Sequence, residues 1–191
     1  MRHLILAARF IILALEDVRG EKRPRVLGRT FLHDLLITCG GVQGLAELLE
    51  DVVALHRHHE VAEGRSIRPA VSTSGTIETD PALLGRVIGN LVQNALEATR
   101  PGNRVVVRGE RLAREIVISV QNPEVIPRDV QPQIFQRSLS TKGGEGRGVG
   151  TYSVRLSTER YLHGRVRFES TKRAGTSFEI VIPNEFPVAA A

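Results

Sequence analysis

The stretch from Asp80 to Pro183 constrains the fold most, because its apolar residues switch period in a fixed order along the chain. Asp80 followed by Pro81 forms an N-cap and first-turn pair: the carboxylate accepts free amide protons, and proline has no amide to satisfy. The helix they open is expected to run to about Thr99, ahead of the turn Pro101-Gly102-Asn103. At about 100° per residue, Leu83, Val87, Ile88, Leu91, Val92 and Ala95 cover one broad arc. Asn90, Asn94 and Glu97 fall together on one edge of it. The period then drops to two. Strands are predicted over 104–108 and 115–122, and in the second Ile116, Ile118 and Val120 share a face with Asn122, a polar residue ending an apolar row. A polar, glycine-rich loop over 138–150 leads into a helix from about Thr151 to Leu162. A hairpin over 165–170 and 176–183 closes the run, with Thr176 in phase with Phe178, Ile180 and Ile182. Helix, hairpin, loop, helix, hairpin predicts a two-layer α/β sandwich.

Composition narrows the function classes. A chain of 191 residues can bury a real core, and 41% hydrophobic with 25% charged residues is globular rather than disordered. Cys39 is alone, so no intrachain disulfide forms. The net charge of +5 admits a nucleic-acid partner. However, the basic residues are mostly scattered arginines, so the expectation is no nucleic acid, with a basic nucleic-acid-binding protein as the rival from another class. The longest apolar stretch, Leu4 to Leu15, is interrupted by Arg9 and falls short of the ~20 residues that cross a bilayer. The expectation is therefore a cytoplasmic chain without a membrane span.

The polar features point to one kind of ligand. Gly146-Arg147-Gly148-Val149-Gly150 before a helix offers free backbone amides and a positive helix end, which suit phosphate oxygens. Lys142, one of only three lysines, stands in the same loop and can reach a terminal phosphate. Asn90 and Asn94 supply neutral oxygens one helical turn apart, a donor set for Mg²⁺. Taken alone, two asparagines flanking a core face more often bond to nearby backbone; the order of the features is what favours a nucleotide.

In that order, residues 80–183 resemble the ATP-binding domain of bacterial sensor histidine kinases, in the superfamily shared with gyrase, the heat-shock ATPase and MutL. Asn90-Leu91-Val92-Gln93-Asn94-Ala95-Leu96-Glu97-Ala98 resembles the N box, Ile134-Phe135 through Ser140-Thr141-Lys142 the F box and lid, and Gly146-x-Gly148-x-Gly150 the G2 box. Gly175-Thr176-Ser177-Phe178 resembles the closing strand whose threonine helps to hold adenine. The resemblance implies ATP and Mg²⁺ as cofactors, Asn94 as the principal Mg²⁺ ligand with Asn90 beside it, and Lys142 with Gly146, Gly148 and Gly150 on the β and γ phosphates. In hydrolytic relatives the position of Asn90 is a glutamate that activates water. Asparagine has no basic carboxylate, so transfer to a protein side chain is favoured over hydrolysis. At the adenine-binding G1 box the family carries Asp-x-Gly-x-Gly, where this chain reads Gln121-Asn122-Pro123-Glu124-Val125-Ile126-Pro127. Counting back from Ile-Pro puts Gln121 on the aspartate position. Strand phase puts Asn122 there, and Asn122 is preferred because it faces the core side.

Upstream, Phe31-Leu32-His33-Asp34-Leu35-Leu36-Ile37-Thr38 resembles a phosphoacceptor H box. The resemblance implies His33 as nucleophile and Asp34 as the acid that orients or deprotonates it. Four residues on, where the family carries Asn or Thr to position water, stands Ile37. Helical patterns are read over 3–18 and from about Leu27 to Leu55. By this reading the second helix of the family's dimerisation hairpin is not expected in its usual place, and 3–18 is its candidate replacement. His56, His58 and His59 read as a solvated helix face. The expected organisation is a helical, dimerising segment 1–49 bearing His33, an ATP-binding domain 50–187 and a tail 188–191. The expected function is an ATP-dependent protein histidine kinase of a two-component signalling system, a homodimer that autophosphorylates His33 and passes the phosphoryl group to a response-regulator aspartate. The rival within that class is a phosphotransferase or degenerate kinase-like adaptor that does not bind ATP.

Overall fold

In the computed structural model, residues 44–72, 77, 79–136 and 150–184 are described. In chain order the elements are helix α1 (Leu45–Arg57), strand β1 (Ser66–Val71), helix α2 (Pro81–Ala98), strands β2 (Arg104–Arg111) and β3 (Glu115–Asn122), helix α3 (Gly150–Arg160), and strands β4 (Arg165–Thr171) and β5 (Gly175–Pro183). The strands form one sheet in the order β1-β2-β3-β5-β4. β1 and β2 run parallel, with α2 as the crossover between them, and the remaining pairs are antiparallel.

Helix α2 starts where its cap predicts. The Asp80 carboxylate accepts from the Leu83 amide at 2.9 Å, and Pro81 opens the first turn. At the other end the Thr99 hydroxyl donates to the Ala95 carbonyl, and the Arg65 guanidinium donates to the Thr99 carbonyl. Leu84, Ile88, Leu91 and Leu96 are buried along the apolar arc. They share one core with Leu45, Leu48 and Leu49 of α1, Val154 of α3, and the inward row of the sheet: Val105, Val107, Ile116, Ile118, Val120, Ile180 and Ile182. At Gly109, next in that row, a β-carbon would lie 2.4 Å from a methyl of Leu49, so the glycine lets α1 settle onto β2. The result is the expected two-layer α/β arrangement. The opposite face of the sheet carries cross-strand polar pairs, Arg108–Gln121, Arg165–Glu115 and Arg167–Glu179. Each such exposed pair adds little stability.

The expected organisation divides the chain between residues 49 and 50. That division falls inside α1, and Leu45, Leu48 and Leu49 on its near side are fully buried in the same core as Val52 and Val53 on its far side. The packed unit therefore takes in α1 from its first turn, because a single apolar stripe runs the length of the helix. The segments read as helical over 3–18 and 27–43, and the tail from 188, lie outside the described residues.

Candidate nucleotide-binding site

Among the described residues, Asn90, Asn94, Asn122 and Thr176 fall into two groups on the helix-bearing side of the sheet. The first joins α2 to the start of α3. Asn90 and Asn94 are half-buried on the edge of α2, one turn apart. The Asn94 carboxamide lies directly under the first residue of α3: a β-carbon added to Gly150 would sit 3.0 Å from Nδ2 and 3.1 Å from Oδ1. The Nδ2 atom is buried and has no hydrogen-bond partner among the described residues. A buried polar atom left unpaired costs about 1–3 kcal/mol, so such an atom calls for an explanation. Here it lies beside a helix N-terminus, where unbonded amides and the helix dipole attract anions. Next to Gly150, the Thr151 hydroxyl donates to the Ile134 carbonyl and ties α3 to the segment that precedes the loop.

The second group lies where β3 and β5 meet. Asn122 and Thr176 are register partners on these two strands, and both are buried. Gln121 points to the other face, where it accepts from Arg108 and donates to the Ala174 carbonyl. Beyond Asn122 the chain turns through Pro123–Pro127, and its own groups hold it in place. The Glu124 carboxylate accepts from the Arg100 amide at 3.4 Å and from Asn103 Nδ2 at 3.3 Å, and it pairs with the Arg100 guanidinium at 3.5 Å. The Glu124 carbonyl accepts from the Thr176 hydroxyl at 2.8 Å, and the Ile126 amide donates to the Ser170 hydroxyl at 2.8 Å. Ser170 and Thr176 hydroxyls are 2.7 Å apart. Gly175, with φ +74, permits the turn into β5; a β-carbon there would lie 2.2 Å from the Asn122 carbonyl oxygen. Phe135, of the expected F box, packs edge-on against Phe168 and Phe178, and the Arg155 guanidinium lies 5.9 Å above its ring.

The structure thus joins Asn94 to Gly150 and Asn122 to Thr176. His33, Asp34, Lys142, Gly146 and Gly148 lie outside the described residues. Sequence reasoning passed over Ser170, Glu124 and Thr151. The first carried a signal: Ser170 ends the row Val166, Phe168 at a period of two, as Asn122 and Thr176 end theirs. The three histidines at the end of α1 and just beyond it differ from the reading of one solvated face. His56 is half-buried, with Nδ1 2.8 Å from the Val52 carbonyl oxygen and its ring against Gly89 of α2. His58 and His59 are exposed. Among the described residues no group of three or more His, Cys, Asp or Glu side chains forms a metal site.

The sheet order, the helix layer and the asparagine-edged α2 define an ATPase fold of the type found in kinases and gyrase. The comparisons bear this out. The profile of the Histidine kinase-, DNA gyrase B-, and HSP90-like ATPase family matches residues 79–185, and the chain belongs to that family. Within it the chain carries a bacterial histidine-kinase ATP-binding domain. It is 33% identical over 104 residues to a probable C4-dicarboxylate sensor kinase of Halalkalibacterium halodurans, a match covering 52% of this chain and 19% of that one. It is 32% identical over 130 residues to the sensor histidine kinase CusS of Escherichia coli O157:H7, covering 64% of this chain and 27% of CusS. The matches thus span only about a fifth to a quarter of these relatives' lengths. Among solved structures, the catalytic domain of histidine kinase ThkA superposes with a TM-score of 0.66 at 25% identity, covering 76% of this chain and 97% of that domain. Among the described residues no helix is long and apolar enough to cross a membrane.

Proposed function

We propose that the chain is the kinase core of a two-component system, in which Mg²⁺-ATP held by the α/β domain phosphorylates His33 and the phosphoryl group then passes to an aspartate of a response regulator. The observation that carries this reading is the Asn94 carboxamide under Gly150 at the start of α3: its buried Nδ2, without a partner among the described residues, is a donor suited to a phosphate oxygen, and its Oδ1 is the oxygen a metal would take. The donor set fits the metal: two neutral carboxamides, Asn94 and Asn90, suit a cation that takes its remaining oxygens from phosphates and water. When bound, Mg²⁺ neutralises charge on the transferring phosphates. Lys142 and the amides of Gly146, Gly148 and Gly150 hold the β and γ phosphates, and Asn122 with Thr176 meets the base. Asn90 places no carboxylate near the reacting phosphate, so water is not activated and the His33 imidazole is the competing nucleophile. Its ring nitrogen bonds to the γ phosphorus as the bond to the ADP oxygen breaks, and Asp34 orients the ring. The chain acts in the cytoplasm as a homodimer.

Labelled ATP given to wild type and His33→Gln tests the acceptor: wild type takes up label stable to base and labile to acid, and the variant takes up none. Equal labelling of both removes His33 from the reaction. The rival, an adaptor that keeps the fold without the nucleotide, is favoured by one feature. The loop 123–127 lacks the family's glycines and is fastened by Glu124 and Ser170.

A further inference from the structure

The hydroxyl pair at the end of the β4–β5 hairpin has only one consistent arrangement of protons. The Ile126 amide donates to Ser170 Oγ, and Thr176 Oγ1 donates to the Glu124 carbonyl, which can only accept. The Thr176 proton is therefore committed, and the 2.7 Å contact between the hydroxyls must be Ser170 donating to Thr176. A hydroxyl has one proton and two lone pairs. Thr176 keeps one lone pair and no proton for anything else. Its register partner Asn122 is less selective, because a carboxamide presents either an oxygen or an N–H depending on which way it is turned.

Resting on the ATP-binding reading above, we infer that Ser170 and Glu124 are positioning residues that hold the 123–127 loop carbonyl against Thr176, so that this hydroxyl meets a purine only as an acceptor and the site selects a 6-amino over a 6-oxo base. A 6-amino group donates to the lone pair that Thr176 retains. A 6-oxo group presents lone pairs to it, and Asn122 can turn to suit either base. Discrimination therefore falls on Thr176, whose proton stays committed only while the loop carbonyl stays in place. Two fastenings keep it there, Ser170 at Ile126 and the Glu124 carboxylate at Arg100 and Asn103.

The experiment compares ATP with inosine triphosphate, its 6-oxo counterpart, by calorimetric titration of the full 191-residue chain with Mg²⁺ present. Wild type is expected to prefer ATP. Ser170→Ala and Glu124→Ala release the loop carbonyl and are each expected to shrink the ATP-to-inosine preference about fivefold, the worth of one hydrogen bond. Ser170→Thr keeps the hydroxyl and restores the preference. Loosened packing alone would weaken both nucleotides alike, leaving their ratio unchanged, and that outcome overturns the inference. So does a wild type that binds the two equally. A wild type that binds neither nucleotide overturns the ATP reading beneath it. Should one alanine variant fail to fold by thermal melt, the other carries the same comparison.

Discussion

Asn94 and Gly150 act as a pair, because the space that a side chain at 150 would fill is occupied by the Asn94 carboxamide. Gly150→Ala is predicted to displace that amide by a few tenths of an ångström and to weaken Mg²⁺-dependent nucleotide binding about tenfold, with the melting temperature little changed. Unaltered binding by the variant would separate Asn94 from the metal. At the other end of α2, burial pushes the Asp80 carboxyl above its ordinary value of 3.8, against the lowering effect of the Leu83 and Ala82 amides. A raised carboxyl pKa means that the folded chain binds this proton more tightly than the unfolded one. Its contribution to stability is therefore full below the unfolded pKa and is lost as pH rises through the folded pKa. Asp80→Asn keeps an acceptor for Leu83 without the buried charge. Urea midpoints should match wild type at acid pH and exceed it at neutral pH, whereas Asp80→Ala should lose about 1 kcal/mol of capping. Residues such as Asn90 and Asn94 were legible in the sequence because helical period alone puts them on one edge. The fixed proton on Thr176 was not, since it depends on Ser170, Glu124 and Ile126 meeting from separate stretches of chain.

Among the elements, α1 departs most from the sequence reading. Its leucines continue upstream into a pattern that read as helical from Leu27, so nothing in periodicity marked where the packed unit begins. The sheet supplies that information: Gly109 receives Leu49, and Leu45 lies against the same spot. A chain beginning at residue 50 is accordingly predicted not to fold, since it removes three fully buried leucines, each worth about 2–5 kcal/mol by truncation to alanine. A cooperative melt from that fragment equal to wild type would contradict the placement of α1. The β4–β5 turn makes a second demand. Gly175→Ala combines a left-handed φ with a β-carbon 2.2 Å from the Asn122 carbonyl, so backbone must move, and both stability and base binding should fall together. Strands β3 and β5 and the helix α2 were readable to within a residue or two because each carries a full period and a terminal signal. The parallel pairing of β1 with β2 had no such local signal, because it depends on the α2 crossover.

At the scale of the whole molecule, the described residues form one sheet with its helices on one side. Among the described residues, Asn90 and Asn94 lie along the edge of α2, and Gly150, Asn122 and Thr176 stand at the ends of a helix and two strands, where rigid elements hold them in place. Net charge and arginine content, which first admitted a nucleic-acid partner, are partly absorbed by cross-strand pairs on the exposed face. Mg²⁺-dependent ATP binding is the property on which every proposed role of these residues depends. The direct measurement is a calorimetric titration with a non-hydrolysable ATP analogue, run with and without Mg²⁺, on wild type and Asn94→Ala. Saturable binding that needs Mg²⁺ and disappears in Asn94→Ala is the predicted result; a wild type that releases no heat of binding at millimolar analogue would contradict it and leave the adaptor reading in its place.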